Sequence, residues 1–132
     1  MLNTKQDQNT NDQKTKRRYD LEERTMLFAR ETNAFVRRLP KDVTVSENGR
    51  QLVRSAGSVA ANYIEANEAL SKKDFIMRIK ICRKEAKESR LWLNLLQPPI
   101  QEMTYKDRLL DEATQLMKIF GAILTKTGNT KF

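Results

Sequence analysis

The chain has 132 residues, 39% of them hydrophobic, with three prolines and four glycines, which is the size of one ordinary domain. Its 25 Lys+Arg outnumber 17 Asp+Glu for a net charge of +8, and it holds no histidine and a single cysteine, Cys82. That inventory excludes Ser-His-Asp and Cys-His nucleophile pairs, His-liganded zinc, an internal disulfide and Cys-rich metal centres. For the leading reading below, no metal site and no cofactor are expected.

Residues 1–18 carry Lys5, Lys14, Lys16, Arg17 and Arg18 against Asp7 and Asp12. With almost no aliphatic content they are expected to form a disordered basic arm. They contain no apolar leader, and no later run approaches the roughly 18 apolar residues of a membrane span. A soluble, cytoplasmic protein without membrane contact is the expectation.

A bundle of four helices is predicted over residues 19–127, each start marked by a polar residue with an acid three positions on. Asp20 with Glu23 opens the first helix, where Leu21, Thr25, Phe28, Thr32, Phe35 and Leu39 recur at 3–4 spacing before Pro40 stops it. Thr44 with Glu47 opens the second, whose core face reads Leu52, Ala56, Val59, Tyr63, Ala66 and Leu70. Ser71 with Asp74 opens the third, with Phe75, Ile79, Cys82, Ala86, Ser89, Leu93 and Leu96 inward, which makes Cys82 a core residue. Pro98-Pro99 breaks the chain, and Thr104 with Asp107 opens the fourth, through Leu109, Ala113, Leu116, Phe120 and Ile123 to a stop before Gly128. Residues 128–132 are expected to be a short flexible tail. Nothing alternates with period two, and the short connections favour an all-α, antiparallel up-down-up-down bundle.

Charge is unevenly placed. Residues 19–70 hold seven basic and eight acidic groups and residues 97–132 five and four, so the excess sits in the arm and in residues 71–96. On a helical wheel Lys72, Lys73, Lys80, Arg83, Lys84, Lys87 and Arg90 gather on one side of the third helix. With Lys16, Arg17 and Arg18 of the arm they form the candidate nucleic-acid-binding surface, the plain alternative being a solvated face that keeps the protein in solution. Another flank of the same helix carries Met77, Ile81, Trp92 and Leu95 with Glu85 and Glu88 among them. That apolar surface suits self-association, docking of a different protein, or burial within the monomer. On the second helix Gln51, Ser55, Ser58, Asn62 and Glu65 form a polar strip, read as a hydrogen-bond ladder fixing register or a subunit contact, or as a solvent face.

The strings QLVRSAGSVAANYIEANEA (51–69) and KEAKESRLWLNLL (84–96), with DLEERTMLFA (20–29), resemble the small four-helix-bundle proteins encoded by intervening sequences of bacterial large-subunit (23S) ribosomal RNA genes. The resemblance spans roughly residues 19–126. It implies a homopentamer without enzymatic activity or catalytic residues, with a basic surface for RNA. A related branch, the accessory variability determinant of diversity-generating retroelements, implies a nucleic-acid and a reverse-transcriptase partner instead. Arg54, Ser55, Asn62, Glu65, Glu85, Glu88 and Trp92 match the family's recurring pattern, which implies that they serve structure and assembly.

Three functions follow as expectations. The first is a non-enzymatic oligomer binding nucleic acid, RNA favoured over DNA, by backbone contacts, since no sequence-reading motif is present. The second is a protein-interaction scaffold. The third is a magnesium-dependent nucleotide pyrophosphohydrolase, because Glu65-x-x-Glu68 and Glu85-x-x-Glu88 resemble in type the paired carboxylates of that all-helical class.

Overall fold

The computed structural model describes residues 20–128, so the arm, with Lys16, Arg17 and Arg18, and the last four residues of the expected tail lie outside it. Helix α1 (Leu21–Arg38) starts where the Asp20 carboxylate accepts the Glu23 N–H at 2.9 Å, and it ends at extended Leu39, ahead of Pro40. Helix α2 (Val43–Asn67) is capped two residues before the expected Thr44. Asp42 accepts the Val45 N–H at 2.8 Å, and Thr44 instead donates its hydroxyl to the same carboxylate. These bonds, the backbone one foremost, hold the Asp42 carboxyl below its ordinary range. Helix α3 (Lys72–Leu95) starts as expected, with Ser71 accepting the Asp74 N–H at 3.1 Å.

The fourth start also differs. A 3₁₀ turn, Ile100–Glu102, runs straight into α4 (Met103–Lys126), so Thr104 already lies inside the helix and caps nothing. The Glu102 N–H reaches back to the Pro99 carbonyl at 2.9 Å, and this turn supplies the nucleus that a side-chain cap would otherwise provide. At the far end Gly128, at φ 84°, takes the left-handed conformation that terminates helices.

The four helices bury the expected apolar stripes against one another, and no strand occurs among the described residues. Phe28, Phe35, Leu52, Val59, Ile79, Cys82, Leu93, Leu116 and Phe120 form the centre of the core. Leu124, rather than half-buried Ile123, closes it on α4. Leu70 is a correction: α2 ends at Asn67, the 3.6-residue period lapses, and Leu70 stands 100% exposed. Two core positions of α1 are threonines. Thr25 returns its hydroxyl to the Leu21 carbonyl at 2.7 Å, whereas the buried Thr32 hydroxyl has no partner among the described residues.

Helices α2 and α3 approach closely through small polar groups, Ser55 Oγ lying 2.8 Å from Ser89 Oγ and Cys82 Sγ 3.6 Å from the Val59 carbonyl. Gly49 of α2 meets Val36 of α1, where an added Cβ would come within 2.9 Å of a valine methyl. Helices α1 and α4 are tied chiefly at two places, Arg24–Glu112 at 2.7 Å and Arg38–Glu102 at 2.9 Å, with a groove between them. No helix among the described residues is long and apolar enough to cross a membrane.

Candidate nucleic-acid interface

Seven basic residues of α3 divide by type. Lys72, Lys73, Lys80, Lys84 and Lys87 are exposed, whereas Arg83 and Arg90 are half-buried against α4. Arg90 places Nη1 3.7 Å from Met117 Sδ, and Arg83 Nε lies 3.8 Å from where a Cβ on Gly121 would stand. The stripe is therefore a row of ammonium groups flanking two guanidinium groups that also serve the α3–α4 contact.

The acids of α3 turn the other way. Glu85 is 7% exposed, and together with Glu88 it receives the Arg54 guanidinium of α2 at 3.2 and 3.3 Å. Arg54 in turn contacts Gln51 at 3.4 Å. One turn further along, the α2 strip becomes a ladder: Asn62 donates to the Ser58 carbonyl and hydroxyl, and Arg78 of α3 donates to the Asn62 side-chain oxygen at 3.0 Å. Ser55 and Ser89 occupy the buried middle of this seam. Ser55 can donate to the Leu52 carbonyl and Ser89 to that of Glu85, so with two protons one hydroxyl crosses the seam while the other stays on its own helix. Glu65 and Glu68 are exposed and lie beyond the ladder.

The carboxylate pairs singled out for magnesium are thus not gathered together. Glu85 and Glu88 converge on Arg54, and no cluster of three or more metal-ligating side chains occurs among the described residues. Cys82 is buried, and loss of hydration pushes its thiol up to about 12, so it stays protonated at neutral pH.

The apolar flank of α3 splits. Trp92 packs on the core with its indole N–H buried and without a partner among the described residues, and Ile81 is half-buried. Met77 and Leu95 remain 46% and 48% exposed.

Other charged contacts escaped the sequence reading. The Arg24–Glu112 and Arg38–Glu102 bridges join residues 88 and 64 positions apart. Each hydrogen bond to its glutamate raises the arginine's pKa further. Arg38 and Arg108 also flank the Tyr105 ring at 4.6 and 5.5 Å from its centroid. Arg78, whose bond to Asn62 crosses from α3 to α2, was not singled out in the sequence either.

No curated protein matches the chain. Among solved structures it is similar to a protein of unknown function from the S23 ribosomal protein family of Bacteroides thetaiotaomicron, at 27% identity and a TM-score of 0.62. The match covers 80% of this chain and 98% of that one. Residues 17–122, which take in all of α1, α2 and α3 and most of α4, match the family model of the 23S rRNA-intervening sequence protein. The capped helices, the serine seam and the Arg54 clamp described above are therefore features of a chain that belongs to the 23S rRNA-intervening sequence protein family.

Proposed function

We propose that this protein is a non-enzymatic, cytoplasmic, oligomeric bundle that binds nucleic acid, RNA in preference to DNA, through the lysine face of α3 and the basic N-terminal arm. One observation carries this reading: α3 turns Glu85 and Glu88 toward Arg54, so that Lys72, Lys73, Lys80, Lys84 and Lys87 are exposed without those acids among them. Such a face neutralises phosphates without reading bases. Five phosphate contacts would weaken affinity roughly 10²–10³-fold between about 50 and 200 mM salt. Fluorescence anisotropy on a structured RNA and a DNA duplex across that range tests it. Changing Lys80, Lys84 and Lys87 together to glutamate should abolish most of the RNA affinity, and unchanged affinity would sink the assignment.

The half-exposed Met77 and Leu95 favour self-association, for which the family resemblance implies a homopentamer of up-down-up-down subunits, the direction of the chain being supported by the residue pairs that join α1 to α4 and α2 to α3. Sedimentation should give five times the 15.4 kDa chain mass. Met77→Glu with Leu95→Glu should lower it. A native mass of one chain would instead leave that flank to a different protein, such as a reverse transcriptase.

A further inference from the structure

Between α1 and α4 runs an open groove of about 720 Å³, floored by Leu27 and Phe28. Its walls carry Glu31, Asp107, Asp111 and Glu112 against Arg24 and Arg108. Arg24 is already committed to Glu112 and Gln115, so the groove has an apolar floor and a surplus of carboxylate along its rim. On a chain of net charge +8 this is an unusual place for acid to collect. A smaller hollow of about 190 Å³ between Phe35, Arg38 and Tyr105 continues it toward the other end of α1.

The described chain begins at Asp20, one helical turn before Arg24 of the groove. Residues 1–19 join α1 at Asp20, and four of their five basic residues, Lys14, Lys16, Arg17 and Arg18, fall within six positions of that junction. Six extended residues reach about 20 Å. Along α1 the step from Asp20 to Glu31 is about 16 Å. A segment turning back over the start of α1 can therefore lay its cations against Asp111 and Glu31, on the helix pair whose contacts leave room for it.

We propose that the groove is the docking site of the chain's own segment Lys14–Arg18, folded back along α1 within one subunit. Reach, the point of attachment and opposite charge all select this occupant. A polyanion seeking the arm would then have to displace it from the groove carboxylates.

Disulfide trapping in the full-length protein tests the proposal without any nucleic acid, so its outcome is separate from that of the function above. Thr15→Cys is combined with Gln115→Cys, which lines the groove, or with Lys118→Cys, exposed on the same helix but outside it. Cys82, buried with its thiol protonated, does not compete. In a glutathione buffer at low salt the Gln115 variant should form its intrachain disulfide at least about tenfold faster than the Lys118 variant. The ratio should fall toward one in about 0.5 M salt, where charges are screened within a few ångströms, or when Glu31→Gln and Asp111→Gln are added. Equal rates at low salt, or a ratio indifferent to salt and to those substitutions, would overturn the proposal. Disulfide-linked pairs of chains would overturn it too, assigning the groove to the arm of a second copy.

Discussion

Replacing Arg54 by methionine keeps a straight, helix-compatible stem and removes the guanidinium shared by Glu85 and Glu88 at 3.2 and 3.3 Å. The two carboxylates do not lose equally. The Arg54 and Glu88 side chains are 51% and 39% exposed, so water limits that pair to below about 1 kcal/mol. The Glu85 side chain is only 9% exposed. Without its partner it is left with incomplete hydration, a loss of about 1–3 kcal/mol. The sum is about 2 kcal/mol, and at about 4 °C per kcal/mol for a domain of this size Tm should fall by about 8 °C. Thermal and urea unfolding followed by circular dichroism at pH 7 would measure it in the wild type, Arg54→Met, Glu85→Gln and the double variant. The double variant should recover at least half of the loss, because a neutral amide is cheaper to bury than an unpaired carboxylate. An Arg54→Met protein within about 0.5 kcal/mol of wild type, or a double variant without recovery, would refute the reasoning.

Thr32→Val removes a buried hydroxyl that has no partner while keeping the side chain's shape, so urea unfolding should show a gain of about 1 kcal/mol. The glycines of α2 should respond in opposite senses. Gly57→Ala adds a methyl into open space within a helix and should stabilise by about 0.5–1 kcal/mol, whereas Gly49→Ala meets Val36 at 2.9 Å and should lose that gain or reverse it, as paired unfolding curves would show. Cys82 supplies a pH dependence: its thiol is pushed up to about 12 in the fold against an ordinary value of 9.0, so its contribution is fully present below pH 9 and is lost as pH rises toward 12. Relative to Cys82→Ala, the wild type should lose stability over that window by up to about 1.4 kcal/mol per pH unit, measured as denaturation midpoints at stepped pH. A parallel pair of profiles would show that the buried thiol does not titrate as argued.

Much of this architecture was legible because it is local. Asp20 and Ser71 cap their helices from within three residues, and the 3–4 periodicity places Phe28, Leu52, Ile79 and Leu116 inside without knowledge of a partner. The misplaced starts have a shared cause. A cap needs only an oxygen in reach of a free N–H, so Asp42 serves without an acid three positions on, and the Pro99 carbonyl begins a turn that makes a cap at Thr104 unnecessary. Leu70 continued the written pattern past the point where the helix ended. The stripe was legible as a set of charges, but its division was not, since Gly121, beside Arg83, and Met117, against which Arg90 lies, are on another helix. For the same reason the α1–α4 groove, assembled from residues some 80 positions apart, left no local trace.

The allocation of arginine and lysine on α3 has a kinetic consequence. The guanidinium groups of Arg78 and Arg90, a kind that grips phosphate in a fixed two-pronged geometry, are directed at Asn62 and Met117, while the exposed row consists of single-point ammonium charges on flexible stems. If the row binds nucleic acid as proposed, one lysine would hand a phosphate to the next with little change in energy. A strand held this way has no preferred register, so it would glide along the helix and exchange quickly, retained by the number of its contacts rather than by any one of them.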